Sequence, residues 1–427
     1  MSGEAGRGSA WRTPAAVAAL GLSAAGIGLW LGSPAPRVLP VDPAAHFDGA
    51  FLERAAAYAG LKYSFWAAAT ILKWGALAAL IAFGGGRSLA RAASRLARGR
   101  RWWTAFFAMA LLLAALALVG LPLSYASGYR VERAFGLSPQ TSAQWALDWL
   151  RIQAFWSAVY SALAAGFLAC LARWPRRGWL VAALGGAAVA VAGTFLAPRV
   201  IDPLFHDFTP LANEELEGQI IAVGRSAGLD IGRVVVMDAS RRTRRLNAYV
   251  TGLGATRQVV LYDNLLEEAP RGELLLVVAH EIGHAAEGHV RQGLLWALPG
   301  IAAGAWALSA LARGRARREA RLTSPWDPAG LPALWLAASI LILLSSPLSS
   351  ALSRGMEAEA DWIALELTRD AATFIAVEER LTRANLSPVT PPGWIVRWFY
   401  SHPPVLDRIG MAKYWLEAVP HLQSRSR

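Results

Sequence analysis

The chain has 427 residues, of which 55% are hydrophobic and only 17% are charged, whereas soluble proteins usually carry about 25% charged residues. Its formal net charge is +12, but most of the excess arginines stand in short clusters between apolar segments, as in loops held at an anionic membrane surface. This pattern excludes an ordinary soluble protein, argues against nucleic-acid binding and predicts a polytopic protein whose partner is the lipid bilayer.

Seven apolar segments are long enough to cross about 30 Å of hydrocarbon as helices. They are residues 14–32, 63–86, 102–126, 154–172, 179–197, 292–312 and 330–352. The first follows two arginines, as a signal peptide would, but it is long for a signal sequence and is therefore predicted to be a retained anchor. Pro122 and Pro347 stand late in their segments and predict kinks or ends there.

A polar region between the fifth and sixth apolar segments has the pattern of a small α/β insert. Asn213 followed by two glutamates predicts a capped helix start. Residues 233–240 predict a buried strand, and residues 246–266 predict two strands around a glycine-rich turn. A further helix is expected to begin near Arg271. The predicted fold is thus an α-helical polytopic membrane protein with a small α/β catalytic insert.

The same pattern predicts four regions along the chain. They are a membrane domain with five spans at 1–197, a catalytic insert at 198–291, two further spans at 292–352 and a helical C-terminal region at 353–427.

The last helix of the insert carries the clearest chemical motif, His280-Glu281-Ile282-Gly283-His284. Spacing of i and i+4 places two imidazoles on one helix face, where both can bind one metal ion. The carboxylate of Glu281 lies beside them and can take a proton from water that the metal activates. The motif therefore predicts one Zn²⁺ per chain and a metal-dependent hydrolase.

A catalytic zinc needs a third protein ligand. Val290 stands where the metzincin pattern would have a histidine, and His289, five residues beyond His284, is expected to point off the metal face. The remaining source is the acidic segment around Glu357 and Asp361, again at i and i+4, where one carboxylate can bind zinc while the other orients a ligand imidazole. Glu359 is a competing ligand on a different face of that helix.

Several motifs together resemble the type 1 CAAX prenyl endopeptidases, integral-membrane gluzincins with seven transmembrane helices. The similar segments include NAYVTGLGATRQVVLYDNLL, HEIGH, SRGMEAEAD and YSHPPVLDRI, and they are joined by RAFGLSPQ and PLFHDFTPL. The resemblance spans most of the chain. It implies a zincin-like insert and about seven helices that enclose a water-filled chamber.

The resemblance also implies roles for individual residues. It makes Glu357 the third zinc ligand and Asp361 its outer partner, and it makes Asn247 and His402 contacts to the substrate or the transition state. His402 is then favoured as a catalytic donor to the oxyanion or to the substrate backbone.

Two further expectations concern the surroundings of the site. Arg354 and Arg408 are expected to brace the carboxylate side of the site. Asn247 and Ala248 are expected on an edge strand, where an extended substrate can add as another strand.

The resulting hypothesis is a zinc endopeptidase of the CAAX prenyl protease type, acting on peptides or membrane proteins, with prenylated proteins as the substrates that the resemblance implies. Alternatives are a smaller heat-shock-type protease that clears misfolded membrane proteins, and a catalytically silent membrane scaffold, against which the intact Glu281 speaks. An LDG-like motif of site-2-type proteases is absent from the sequence. The richness in alanine and arginine favours a bacterial cytoplasmic membrane.

Charge in the short loops predicts the orientation. Loops on the side of the amino terminus carry sixteen basic residues, whereas those on the other face carry six. The positive-inside rule therefore places the amino terminus in the cytoplasm and, with seven spans, the insert and the carboxyl terminus outside.

Overall fold

The computed structural model describes residues 37–252, 257–318 and 324–425. Six helices within these ranges are long and apolar enough to cross a membrane. They are Gly49–Ala82, Arg101–Ala134, Ser142–Arg173, Gly178–Leu204, His289–Ala316 and Pro328–Thr368. The predicted helical membrane fold with a small sheet is confirmed, and the first predicted span, 14–32, lies outside the described residues.

The helices are numbered here in chain order. They are α1 Gly49–Ala82, α2 Gly85–Leu96, α3 Arg101–Tyr125, α4 Ser142–Arg173, α5 Gly178–Leu196, α6 Glu214–Ser226, α7 Asp263–Glu268, α8 Arg271–Glu287, α9 His289–Arg318, α10 Leu331–Thr368, α11 Ala371–Asn385, α12 Gly393–Phe399 and α13 Val405–Arg425. The helical path of α3 continues to Ala134 and that of α5 to Leu204. Small buried residues such as Ala105, Ala108 and Ala165 let α3 and α4 approach closely, as is usual between helices in lipid.

Helix α10 runs through Pro347 and continues to Thr368, past the predicted end of the apolar segment at 352. Proline lacks the N–H that would bond the carbonyl of Leu343, four residues earlier. Ser346 Oγ donates to that carbonyl instead, at 2.8 Å, which is how a neighbouring hydroxyl can keep a proline-containing membrane helix intact. The last span and the segment with Glu357 and Asp361 are therefore one helix.

A four-stranded sheet forms the insert, with the strands β1 Phe208–Pro210, β2 Arg233–Met237, β3 Ala248–Thr251 and β4 Gln258–Tyr262. The spatial order is β1-β2-β4-β3. The pairs β1/β2 and β3/β4 are antiparallel and β2/β4 is parallel. The predicted β2 and the predicted β3/β4 pair are thus confirmed. Strand β1 is an additional strand, which was not predicted because it lies in a turn-rich segment.

The helices of the insert begin where the sequence predicts. Asn213 Oδ1 accepts a hydrogen bond from the Leu216 N–H at 3.0 Å and caps α6. Helix α8 begins at Arg271. Its buried residues, including Val278 and Ile282, pack in one core with β4 and α11, so the motif helix lies between the sheet and the C-terminal helices.

Two of the predicted regional boundaries fall inside continuous helices. The boundary at 291/292 lies near the start of α9, and the boundary at 352/353 lies within α10. The division into four regions stays a prediction, but the elements that carry the site are continuous with the membrane spans.

Orientation can be tested because the spans alternate in direction. The loops near residues 83–100 and 174–177 share one end of the bundle, and the insert lies at the other end. The charge count predicts that this insert and the carboxyl terminus face outward. Alkaline phosphatase fused after Arg427 should therefore be active in bacterial cells, whereas a fluorescent protein at that position should stay dark. A fluorescent carboxyl-terminal fusion would reverse the assignment, and a fusion in the 83–100 loop provides the opposite control.

Candidate metal centre

Three side chains converge between α8 and α10. The His280 Nε2 and His284 Nε2 atoms are 3.2 Å apart. The Glu357 Oε2 atom is 3.2 Å from His280 Nε2 and 3.3 Å from His284 Nε2. In the part of the chain that the structure describes, this triad is the group of histidine and acidic residues close enough to hold a metal ion.

The triad has the dimensions of a zinc site. In a tetrahedral site with zinc–ligand bonds of about 2.0–2.1 Å, neighbouring ligand atoms lie about 3.3–3.4 Å apart. The observed triangle has edges of 3.2–3.3 Å and thus matches one face of such a tetrahedron. Two imidazoles and one carboxylate are a usual donor set for a catalytic zinc, with the fourth position left for water or substrate. The residues present therefore fit Zn²⁺.

A glycine allows the two ligand-bearing helices to approach this closely. A Cβ atom on Gly283 would lie 3.1 Å from the Ala360 carbonyl oxygen and 3.2 Å from its Cα, which is tighter than ordinary contacts. The residue between the two ligand histidines thus packs against the backbone of α10, three residues after Glu357. Close contact of the helices at Gly283 and Ala360 is what brings the third carboxylate to the histidines.

Asp361 lies behind the triad and is fully buried. Its Oδ1 atom is 2.7 Å from His280 Nδ1, so the other ring nitrogen is left for the metal. The Arg408 guanidinium donates to both oxygens of Asp361. The guanidinium also lies 2.7 Å from the Glu378 carboxylate.

Arg408 therefore joins two buried acids on two helices, and removing one partner from such a pair typically costs about 3–5 kcal/mol. Burial raises the pKa of Glu378 to about 7, although the neighbouring Arg408 cation opposes this. The position of Arg408 agrees with the expected bracing of the carboxylate side.

Glu281 lies on the same helix as both histidines but outside the triangle. Burial raises the pKa of its carboxyl, and the positive charge available at His280 and His284 opposes this shift. The carboxylate also accepts a hydrogen bond from the backbone N–H of Val250 on β3. Glu281 therefore stands between the triad and the edge of the sheet.

His402 reaches the site from the loop between α12 and α13. Its Nε2 atom is 3.2 Å from Glu357 Oε2, and its Nδ1 atom is 3.0 Å from Ser401 Oγ. The ring is 56% exposed, so it lines the open side of the triad.

Arg354 bonds to the backbone near the end of α12. Its guanidinium donates to the carbonyl oxygens of Val396 and Tyr400, at 2.8 and 2.9 Å. Because Arg354 lies one helical turn before Glu357, it ties the chain leading to His402 to the ligand helix. The hydrogen bonds of Arg354 thus go to the backbone near the end of α12, and its expected role beside the carboxylates stays a prediction.

Strand β3 is an edge of the sheet, as the sequence suggests. The Asn247 carbonyl accepts a hydrogen bond from the Tyr262 N–H at 3.1 Å, so Asn247 faces β4 with its backbone. In an antiparallel pair the next residue faces the other way, and the backbone polar groups of Ala248 and Val250 therefore point to the free edge. The Asn247 side chain is exposed there, whereas the methyl group of Ala248 is buried.

His289 is the residue that the sequence interpretation misplaced. It is 5% exposed, and its Nδ1 atom is 2.8 Å from His284 Nδ1. The contact between His289 and His284 could have been predicted from the sequence only if Gly288 had been recognised as the end of the helix.

Two family models match the chain. Residues 210–416 match peptidase family M48, and residues 35–207 match the model described as CAAX prenyl protease N-terminal, five membrane helices.

Several curated proteins are similar in sequence. An uncharacterized metalloprotease, YhfN, of Bacillus subtilis is 34% identical over 313 residues, which cover 71% of this chain and 72% of that protein. CAAX prenyl protease 1 of Saccharomyces cerevisiae is 31% identical over 183 residues, 43% of this chain and 40% of the yeast protein.

A solved structure shares the fold. The crystal structure of S. mikatae Ste24p superposes with a TM-score of 0.79, covering 93% of this chain and 99% of that one at 22% sequence identity.

Proposed function

Because the chain belongs to the CAAX prenyl protease family of M48 peptidases and is a multi-pass membrane metalloprotease, we propose that it is a zinc-dependent endopeptidase that cleaves peptide or membrane-protein substrates bound as an extended strand. The observation that carries the proposal is the triangle of His280, His284 and Glu357, whose 3.2–3.3 Å edges suit one zinc ion. The family supports the metalloprotease class, and the donor set supports zinc.

The residues around the triangle have complementary tasks in peptide hydrolysis. When bound, Zn²⁺ supplies a Lewis acid that polarises the scissile carbonyl and acidifies water to a pKa of about 7. Glu281, buried beside the triad, takes a proton from the attacking water and then passes it to the leaving amine.

His402 and the outer residues orient the reacting groups. His402 lies at the open side of the triad and can donate a hydrogen bond to the developing oxyanion. Asp361 holds the proton on His280 Nδ1, and Arg408 holds Asp361 in place. Arg354 holds the loop that presents His402. The base, the donor and the ligands thus come from three elements: α8, α10 and the loop between α12 and α13.

The free edge of β3 is the proposed substrate platform. Its outward-facing groups belong to Ala248 and Val250, two residues apart, and the Val250 N–H already donates to Glu281. The carbonyls of Ala248 and Val250 are the acceptors proposed for a substrate strand, which should therefore bond through every second residue. N-methylation of a substrate amide that pairs with this edge should weaken binding and raise KM by on the order of tenfold, the value of one lost hydrogen bond of about 1–1.5 kcal/mol. Methylation of the next amide along should change KM little. A peptide series showing equal effects at successive positions would argue against strand addition.

The substrate class is the finer part of the proposal. Relatives carry the name CAAX prenyl protease, and a site whose ligand helix α10 is continuous with a membrane span suits a substrate with a lipid tail. We expect a farnesylated peptide to be cleaved with a kcat/KM at least about tenfold above its unprenylated twin, because burying two CH₂-sized groups contributes about 1.6 kcal/mol. Zinc-dependent cleavage of both peptides at equal kcat/KM would instead favour a quality-control protease of unmodified membrane proteins. Absence of zinc-dependent cleavage of either would favour a silent scaffold.

A further inference from the structure

His289 contacts one proposed ligand of the candidate metal centre, His284, and one acid outside the triad, Glu359. His289 is the first residue of α9, and its ring stands at 74° to that of His284 with the ring centres 4.9 Å apart. Its Nδ1 atom is 2.8 Å from His284 Nδ1, and its Nε2 atom is 3.2 Å from Glu359 Oε2. A buried imidazole thus connects a proposed zinc ligand with a half-exposed carboxylate.

Gly288 creates this arrangement. Five residues along an uninterrupted helix correspond to a rotation of about 140°, which would point His289 away from His284. Gly288 has φ of 66°, the left-handed conformation, and ends α8. The new helix starts at the next residue, so the His289 ring turns back onto the last turn of α8. Glycine is suited to this position because other residues adopt that conformation at a cost.

The proton positions of the three groups follow from the geometry. If His284 binds a metal through Nε2, its ring is neutral and the proton is on Nδ1. The nearest acceptor is His289 Nδ1, which must then carry a lone pair. The His289 proton is consequently on Nε2, from where it donates to the Glu359 carboxylate. Each nitrogen has one role, and no donor faces another donor.

We propose that His289 is a positioning residue that orients His284 for metal binding, with Glu359 fixing the tautomer of His289. This inference rests on the proposed zinc site. It gives each ligand histidine its own outer partner: Asp361 lies behind His280, and His289 lies behind His284. Outer partners of this kind raise the basicity of the ligand and lock the ring.

Two conservative variants separate this role from simple packing. In His289→Asn the amide oxygen occupies the place of Nδ1 and can still accept from His284, while the contact with Glu359 is lost. In His289→Gln the amide group occupies the place of Nε2 and can still reach Glu359, but it offers no acceptor at the Nδ1 position. A role confined to filling space or to holding Glu359 would favour glutamine, whereas orientation of His284 favours asparagine.

The experiment measures zinc dissociation constants of the purified full-length protein by competition with a chelator, together with the thermal unfolding temperature of the metal-free forms. We expect His289→Asn to bind zinc within about threefold of the unsubstituted protein and His289→Gln to bind about 10–100-fold more weakly, the usual loss for an outer partner. Glu359→Gln should bind within about threefold, since its amide oxygen still accepts from His289.

Three outcomes would overturn the inference: equal affinities for the asparagine and glutamine variants, a reversed order between them, or a metal-free unfolding temperature that falls only in the glutamine variant. Failure of the proposed function looks different, because the unsubstituted protein itself would then bind no zinc. If the unsubstituted protein and His289→Gln bind zinc with equal affinity, the role of His289 is rejected while the zinc site itself stands.

Discussion

Glu281→Gln is expected to keep about one zinc per chain and to lose proteolysis by about 10²–10⁴-fold in kcat, the usual contribution of a general base. The reason is geometric. Glu281 stands outside the ligand triangle of His280, His284 and Glu357, so replacing its carboxylate leaves the metal donors in place. The amide cannot take a proton from the attacking water. Metal content is measured on the same sample as the rate of peptide cleavage.

Glu287→Gln is the matched control for this experiment. Glu287 is an exposed acid at the end of the same helix, and its amide variant should keep both zinc and activity. If Glu281→Gln lost the metal, the residue would have to be assigned as a ligand. If it kept full activity, another group would be the base.

Glu357→Ala is expected to abolish stable zinc binding, because it removes one of three protein ligands. The loss should exceed the about 10–100-fold that removal of an outer partner causes. Glu357 is 9% exposed and lies within 3.3 Å of both ligand nitrogens. The variant should also lose proteolysis at zinc concentrations that saturate the unsubstituted protein.

Glu359→Ala is the control two residues away on the same helix. Glu359 contacts His289 rather than the triad and is 51% exposed, so this variant should still contain about one zinc per chain at saturating metal. Zinc loss in Glu359→Ala with retention in Glu357→Ala is the pattern that would reject the proposed ligand assignment.

Much of this arrangement could be predicted from local sequence. Helix spacing alone places His280 and His284 on one face, and the i, i+4 relation of Glu357 and Asp361 survives because α10 is continuous. The Asn213 cap and the strands around the glycine-rich turn are likewise local signals. The roles of these residues in catalysis remain proposals, but their proximity follows from patterns that a single helix or hairpin fixes.

The features that sequence reasoning missed depend on single backbone conformations and on hydrogen bonds to backbone carbonyls. A single left-handed glycine, Gly288, brings His289 onto His284. Ser346 lets α10 pass Pro347. Arg354 has its partners on α12 and the loop after it, more than forty residues away. Each of these features is set by a dihedral angle or by individual hydrogen bonds, which the hydrophobic periodicity of the sequence does not encode.

Zinc titration of the metal-free protein tests the central claim most directly. The purified chain is stripped with a chelator, and cleavage of a peptide in lipid discs is followed as zinc is added back together with bound-metal content. We predict an inactive metal-free protein and recovery that saturates at about one zinc per chain, with no recovery in Glu357→Ala. Undiminished cleavage by the metal-free protein would contradict a zinc peptidase built on His280, His284 and Glu357.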